Sequence, residues 1–278
     1  MDDLRMERDG QFNLLSVRSS RSSAVIAQQA RPAPEYVVLV YVIPLSAATD
    51  ADSGSVGGKA RALGCMMRIG LPVPDGLCVT DAGLANLRSQ RLVAELAEAL
   101  HRLRSPAVAV RSSAGAEDSS THSYAGIFKS FLNVVKRPDE VIAALDAVRE
   151  SAGGKQVEAY EKAVHSSNAS MAAIVQEMIT PRWSGVMFTS DPITGKDRLL
   201  VEATSTEAPA VAEYAAIDRS GAILPASASE GFLQLDGIID RLMMVARHCE
   251  DIFGGPQDIE WVWDGSKVWV LQSRPITR

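Results

Sequence analysis

The chain has 278 residues, of which 46% are hydrophobic and 22% are charged, a composition that supports a folded core without disulfide or metal crosslinks. The formal net charge is -6 and the basic residues are scattered, which argues against a nucleic-acid partner. The three cysteines, Cys65, Cys78 and Cys249, form no C-x-x-C pair. We therefore expect neither a zinc site nor a disulfide framework, and a reducing cytoplasm fits best.

The N-terminal residues 1–35 are rich in Ser and Arg and end near a Pro-Ala-Pro segment, so we interpret them as a polar arm. The apolar run 37–43 that follows superficially resembles the core of a signal peptide. It comes after mixed-charge residues and is far too short to cross a bilayer. We predict a buried strand over 36–44 and no membrane partner.

Helices and strands then alternate, as is typical of an α+β protein. Turn residues, helix-capping residues and apolar spacing predict the following elements: a helix over 59–69 closed by Gly70, a short strand ending at Cys78, one or two helices within 81–104 capped by Thr80 or Asp81, a strand over 107–111, an apolar stretch up to Val135, a helix opening at Pro138 and a helix near 155–166.

After residue 168 the pattern changes to runs rich in Val, Ile and Leu, which predict strands at 171–179, 184–189 and 198–203, followed by a helix over 236–252. We place a subdomain boundary near 168–170. The folded part is thereby divided into an N-terminal subdomain, 36–169, and a C-terminal subdomain, 170–278.

The C-terminal segment 257–275 predicts a β-hairpin around Asp264-Gly265. A three-residue loop, 265–267, sets Trp263 opposite Trp269 and Glu260 opposite Gln272. Without interruption, the alternation of the return strand from 268 to 274 puts its even-numbered residues on one face.

That hairpin brings together the carboxylate of Glu260, the amide oxygen of Gln272 and the guanidinium of Arg274. Oxygen ligands suit a hard cation such as Mg²⁺, and Arg supplies planar donors to phosphate oxygens. The set therefore predicts a site for a polyphosphate bound with magnesium. The alternative is an ordinary surface hairpin with polar residues in water.

Two further segments have features of phosphate binding. Arg111 ends a strand and is followed by small hydroxyl and Gly residues over 112–118, which can present N–H and hydroxyl groups to an anion. Lys59 follows a Gly pair at a helix start. Neither segment is a Walker or Rossmann motif. The alternatives are an ordinary turn and a surface lysine.

Four collinear blocks cover roughly 36–278. They are Val56-Gly57-Gly58-Lys59 with Gly70-Leu71-Pro72-Val73-Pro74; Val110-Arg111-Ser112-Ser113 through Glu117-Asp118 to Ala125-Gly126; Val175-Gln176-Glu177-Met178 with Ser184-Gly185-Val186-Met187-Phe188-Thr189 and Asp191-Pro192; and Pro256-Gln257-Asp258-Ile259-Glu260-Trp261 with Leu271-Gln272-Ser273-Arg274-Pro275. This arrangement resembles the N-terminal nucleotide-binding domain of the phosphoenolpyruvate synthase, pyruvate phosphate dikinase and rifampicin phosphotransferase family.

The resemblance implies an ATP-grasp-like α+β fold in which two subdomains with mixed or antiparallel sheets and flanking helices clasp ATP and Mg²⁺. It also implies roles for individual residues. Lys59, Arg111 and Arg274 would be the catalytic cations on the phosphates, Ala125 and the loop from Gly126 to Ser130 would cover the phosphates, Gln176, Glu177 and Met178 would meet adenine, and Glu260 and Gln272 would bind Mg²⁺.

The chain departs from the family where a Gly-Leu-Gly-Glu stretch is usual, since it has Ala203-Thr204-Ser205-Thr206-Glu207-Ala208-Pro209. None of its four histidines, His101, His122, His165 and His248, lies in a context like the family's phosphohistidine loop.

The resemblance implies an ATP-dependent phosphotransferase that forms AMP and phosphate. Its acceptor would be a histidine on a separate partner protein or a small molecule. A non-catalytic ATP-binding module and an ATP-dependent ligase that forms an acyl phosphate are the alternatives.

Overall fold

Two five-stranded antiparallel sheets organise the part of the chain that the computed structural model describes, namely residues 39–51, 53–114, 129–152, 171–209, 211–224, 231–235 and 237–276. The first sheet has the order β1-β2-β5-β3-β4, with β1 Val42–Pro44, β2 Gly76–Val79, β3 Ala107–Ala114, β4 Ser130–Val135 and β5 Met171–Glu177. The second has the order β10-β9-β6-β7-β8, with β6 Trp183–Phe188, β7 Leu199–Ser205, β8 Ala212–Ile217, β9 Gln257–Trp263 and β10 Val268–Pro275.

Five α-helices flank these sheets within the described residues: α1 Ser53–Arg68, α2 Asp81–Ala85, α3 Gln90–Arg102, α4 Pro138–Ala152 and α5 Ile238–Phe253. Side chains at their ends explain several boundaries. The Thr80 hydroxyl accepts the N–H of Gly83 at 3.1 Å, and the Ser89 hydroxyl accepts the N–H of Leu92 at the same distance. Gly254, at φ 73°, ends α5 in the left-handed conformation.

The buried residues form two apolar clusters. One joins the first sheet to α2, α3 and α4, and includes Leu92, Leu96 and Val110. The other joins α1 and α5 to the second sheet, and includes Met66 and Trp261. Helix α1 contacts β3 and β5 of the first sheet as well as β10 of the second. It therefore packs against strands of both sheets.

The α+β class with antiparallel sheets and flanking helices is confirmed, and most predicted elements are present. Two elements differ in their bounds: α1 begins at Ser53 rather than residue 59, and β3 continues from 111 to Ala114. The 81–104 segment forms two helices, which is one of the two predicted alternatives. The prediction of a buried strand over 36–44 is wrong in the described residues, because β1 spans only Val42–Pro44 at the edge of its sheet and is not buried. The helix predicted near 155–166 lies outside the described residues, as do residues 1–38.

Strand β5 lies in the first sheet, between β2 and β3. The chain passes from the first sheet to the second between Glu177 and Trp183, so the predicted boundary near 168–170 does not coincide with the change of sheet. In the sequence, β5 resembles the strands that follow it, but its partners in the sheet, β2 and β3, precede it in the chain. The division into subdomains 36–169 and 170–278 stays a prediction.

Candidate functional site

Arg111 and Glu260 meet across the two sheets. Arg111 lies on β3, Glu260 lies on β9, and the Nη1 atom of Arg111 is 3.7 Å from Oε2 of Glu260. Arg111 is largely buried, with 18% of its side chain exposed, and Glu260 is 44% exposed. The structure therefore brings together two residues that are 149 positions apart in sequence (260 minus 111) and that the sequence analysis assigned to one site.

The predicted pairing of Glu260 with Gln272 is confirmed in the register of β9 and β10. The predicted pairing of Trp263 with Trp269 is wrong, because Val268 lies opposite Trp263 and Trp269 lies opposite Val262. The loop between the strands has four residues, 264–267, rather than three.

A β-bulge at Leu271 explains why the pairing of Glu260 with Gln272 was predicted correctly although that of Trp263 with Trp269 was not. Val270 pairs with Trp261 and Gln272 pairs with Glu260, so Leu271 has no residue opposite it. The uninterrupted alternation predicted for 268–274 is therefore wrong: Val268 and Val270 are buried, whereas Gln272 faces the same side as Glu260. The bulge lets one strand serve the core in its first half and the site in its second.

Asp258 is a site residue that the sequence analysis did not assign. Its Oδ2 atom accepts hydrogen bonds from Nε and Nη2 of Arg274 at 2.9 and 2.7 Å. Asp258 lies two residues before Glu260 on β9, which places both carboxylates on one face. That alternation was the signal available in the sequence. The ion pair fixes the direction of the Arg274 guanidinium beside Glu260 and Gln272.

Lys59 lies just beyond a break in α1. Gly57 has φ 75° and ψ 168°, which interrupts the helical backbone. The buried Ser113 hydroxyl donates to the carbonyl of Val56 at 2.8 Å and accepts the N–H of Ala60 at 3.0 Å. Ser113 thus caps the turn that carries Lys59, and it lies two residues from Arg111 on β3. The structure places Lys59 and Arg111 on directly connected elements.

The predicted covering loop is described only at its end. Ala125 and Gly126 lie outside the described residues. Ser130 begins β4 and pairs with Arg111 in the register of the first sheet. The role of this loop stays a prediction.

The side chains at the predicted adenine edge hold neighbouring loops. Gln176 is buried and its amide donates to the carbonyl of Pro74 at 3.1 Å. The Glu177 carboxylate accepts the N–H groups of Arg104 and Ser105. The N–H of Met178 donates to the carbonyl of Ala107 at 3.1 Å. Gln176 and Glu177 lie at the end of β5, opposite Ala109 and Val108, and Met178 follows them. Their contact with adenine stays a prediction.

The segment that departs from the family begins as a strand. Strand β7 continues beyond Glu202 to Ser205, and Ala203 is buried in the core. Among the histidines, His101 and His248 are exposed on helices, while His122 and His165 lie outside the described residues.

A tight loop follows β6 at Asp191, whose carboxylate is buried. Hydrogen bonds from Thr194, from the Arg198 guanidinium and from the N–H of Ile193 hold the pKa of the Asp191 carboxyl well below its usual range. The Nη2 atom of Arg198 lies 2.6 Å from Oδ2 of Asp191. This carboxylate organises the loop 191–198 as a set of local hydrogen bonds.

Replacing Asp191 with Asn is expected to lower the thermal midpoint at pH 7 by about 2–4 °C. Because folding depresses this pKa, the stabilisation is complete above the unfolded-state value of about 3.9 and is lost as the pH falls toward the folded-state value. The gap between the midpoints of wild type and variant should therefore narrow progressively below about pH 4. Calorimetric scans from pH 7 to 2.5 measure this gap, and a gap that stays constant would contradict the assignment.

No cluster of three or more His, Cys, Asp or Glu side chains in the described ranges is arranged to hold a metal ion on its own. Nor does any described helix combine the length and apolarity that crossing a membrane requires.

Curated relatives are identical to this chain at between a quarter and a third of the aligned residues. A probable phosphoenolpyruvate synthase of Archaeoglobus fulgidus is 29% identical, over 80% of this chain and 40% of the relative. One from Methanothermobacter thermautotrophicus is 30% identical, over 81% and 44%. A rifampicin phosphotransferase of a Streptomyces species is 29% identical, over 85% and 36%. The chain thus spans less than half the length of these relatives.

The sequence identity to solved structures is lower. A dinucleotide-forming acetyl-coenzyme A synthetase 1 of Ca. Korarchaeum cryptofilum aligns with 84% of this chain and 97% of its own, at 11% identity and a TM-score of 0.47. An N5-carboxyaminoimidazole synthase of Aspergillus clavatus aligns with 79% and 44%, at 13% identity and a TM-score of 0.42.

The family model described as pyruvate phosphate dikinase, AMP/ATP-binding domain, matches residues 85–212 and 218–278, which is more than half of the chain. The matched residues include Arg111, Glu260, Gln272 and Arg274, while Lys59 precedes them. The chain belongs to the pyruvate phosphate dikinase AMP/ATP-binding domain family.

Proposed function

We propose that this chain binds ATP with Mg²⁺ between its two sheets, in an ATP-grasp-like manner, and activates a phosphoryl group for transfer. The observation that carries the proposal is the approach of Arg111 and Glu260 from opposite sheets to 3.7 Å. Gln272 and Arg274 share the face of Glu260. This arrangement matches a polyphosphate, whose oxygens need cations and whose bound metal needs oxygen ligands.

The Arg111–Glu260 contact leaves both groups able to take a ligand. At 3.7 Å it is an ion pair without a short hydrogen bond. The Nε atom of Arg111 is buried and has no hydrogen-bond partner among the described residues. A buried donor of this kind gains from a charged acceptor. A phosphate oxygen would satisfy Arg111 and leave the Glu260 carboxylate to the metal.

The residues present fit Mg²⁺ held together with a nucleotide. In such sites one or two carboxylates bind the ion, and substrate phosphates and water supply its other ligands. Glu260 supplies the carboxylate and Gln272 the amide oxygen. When bound, the ion would neutralise charge on the phosphoryl oxygens. Lys59, Arg111 and Arg274 would position those oxygens, with Asp258 fixing the direction of Arg274.

The proposed products from ATP are AMP and inorganic phosphate. The proposed acceptor is a histidine of a separate partner protein or a small molecule. To test this, the chain is incubated with ATP, Mg²⁺ and candidate acceptors, and the nucleotides are separated chromatographically. AMP formation that depends on the acceptor supports the proposal, whereas ADP as the only nucleotide product contradicts it.

The cysteines agree with the proposed cytoplasmic location. All three are free thiols. Burial raises the pKa of the Cys78 and Cys249 thiols to about 12, so both stay protonated and act as small apolar side chains.

Replacing Glu260 with Gln is expected to lower ATP turnover by about 100-fold and to raise the Mg²⁺ concentration that gives half of the maximal rate. The substitution keeps the size of the side chain and removes the negative charge. A magnesium titration of the initial rate measures both effects. Glu98→Gln is the matched control, because Glu98 is a 72% exposed residue of α3. An unchanged magnesium dependence in Glu260→Gln would contradict the metal assignment.

A further inference from the structure

A cavity lies on the face of the second sheet that carries Glu260. It has a volume of about 420 Å³, and we call it the side pocket. The residues that define it are Phe188, Ile193, Arg198, Leu200, Glu202 and Tyr214. They come from β6, β7, β8 and the 191–198 loop, so they differ from the residues assigned to ATP and Mg²⁺. Its volume is within the range of small-molecule sites.

The strand register places the side pocket directly beside the proposed phosphate site. Val186 pairs with Glu260 on one side and with Glu202 on the other. Glu202 and Glu260 therefore lie on the same face, two strand spacings or about 10 Å apart. In the adjacent row, Phe188 lies between Asp258 and Leu200. The Glu202 side of the side pocket is therefore the side nearest to Glu260.

The walls of the side pocket are mainly apolar, and parts of them face solvent. Ile193 is 93% exposed and Tyr214 is 56% exposed. Phe188 and Leu200 form the sheet surface between them. Large exposed apolar side chains that surround a cavity indicate a ligand with an apolar body. The Asp191 hydrogen bonds hold the Ile193 wall in place.

The charges of the side pocket favour a cation. Arg198 is neutralised by Asp191, with 2.6 Å between Nη2 and Oδ2. Glu202 is exposed and forms no ion pair with any described residue. One unpaired negative charge therefore remains at the rim, on the side toward Glu260. The buried Nε atom of Arg198 has no acceptor among the described residues and remains as a donor.

We infer that the side pocket binds a small aromatic molecule that carries a protonated amine, next to the proposed phosphate site. The aromatic body packs on Phe188, Leu200 and Tyr214, and the amine lies at Glu202. The inference goes beyond the proposed function, because it assigns a second ligand to this chain and gives that ligand no part in phosphoryl transfer.

Two probes that differ only in the amine test the assignment: tyramine and 4-ethylphenol. Ligand-observed NMR titrations without nucleotide give their dissociation constants. Tyramine is expected to bind wild-type protein about threefold to fivefold more tightly than 4-ethylphenol, the gain of a partly exposed ion pair. In Glu202→Gln the two probes should bind equally, at the wild-type affinity of 4-ethylphenol. A tyramine preference that survives Glu202→Gln would overturn the inference.

A second pair of variants tests the apolar wall. Ile193→Ser should weaken both probes about equally, while Ile69→Ser, at a 42% exposed isoleucine outside the pocket, should change neither. Both positions are exposed, so folding is expected to survive. Loss of binding in Ile69→Ser, or none in Ile193→Ser, would overturn the assignment.

Binding of MgATP to the same samples separates failure of this inference from failure of the proposed function. If MgATP binds and neither probe does, the inference fails and the proposed function stands. This is the result expected if a protein surface, rather than a small molecule, docks at the side pocket. If MgATP displaces both probes competitively, the cavity belongs to the nucleotide site and the inference fails. Absence of MgATP binding would instead overturn the proposed function. Simultaneous binding of probe and MgATP supports both.

Discussion

Arg111→Met is expected to lower ATP turnover by about 100- to 1000-fold while leaving the fold intact. The substitution keeps an unbranched apolar stem and removes the positive charge that approaches Glu260 from the opposite sheet. Cations positioned on a transferring phosphoryl group account for effects of this size. Initial rates of nucleotide formation measure turnover, and a calorimetric scan measures stability.

Two matched variants separate charge from geometry at Arg111. Arg111→Lys keeps the charge but loses the planar fork, so its activity should lie between those of wild type and Arg111→Met. Arg102→Met removes a 67% exposed arginine of α3 and should leave turnover unchanged. Equal activity of Arg111→Met and wild type would remove Arg111 from the site. A large loss in Arg102→Met would point to a general charge effect.

Gly57→Ala is expected to destabilise the protein by about 3 kcal/mol or more, and to weaken ATP binding in the fraction that folds. Gly57 has a positive φ, and a Cβ atom at this position would lie 2.0 Å from the carbonyl oxygen of Ser113. The backbone of α1 or of β3 would have to move, and either movement displaces Lys59 from Arg111. Thermal unfolding and a fluorescent nucleotide titration measure the two effects.

Gly70→Ala is the matched control for Gly57→Ala. Gly70 has φ 82°, similar to that of Gly57, but nothing lies within 4 Å of the position that its Cβ would occupy. Its substitution should cost about 1 kcal/mol, the strain of the left-handed backbone alone, without a change in nucleotide affinity. If both variants lose the same stability, the close approach of α1 to Ser113 is not what fixes Lys59.

The sequence was sufficient to predict those elements, and those neighbours within the candidate site, whose pattern is local. The pairing of Glu260 with Gln272 followed from strand alternation around a recognisable turn. The residues Arg111 and Lys59 were identified from small-residue loops, and the structure joins their elements through Ser113. The two helices within 81–104 have local caps at Thr80 and Ser89, which is why their existence was predictable.

Features that depend on distant partners were not predictable in this way. Strand β5 pairs with β2 and β3, which precede it by many residues, and nothing in its own composition specifies that choice. The bulge at Leu271 is seen only in the pairing of β10 with β9, so a count of alternating residues along β10 missed it. Strand alternation places Asp258 on the face of Glu260, but its role depends on the contact with Arg274, which the structure shows.

Because β10 changes its alternation at Leu271, its two halves can vary independently during evolution. Substitutions at Val268 and Val270 alter packing against the core, while substitutions at Gln272 and Arg274 alter the groups on the face of Glu260. A change in length acts differently. Loss of Leu271 would place Gln272 directly after Val270 and still opposite Glu260, now in a regular ladder, so Gln272 and Arg274 would keep their face. Leu271 is therefore a position of β10 at which the loss of one residue is compatible with the pairing of both halves.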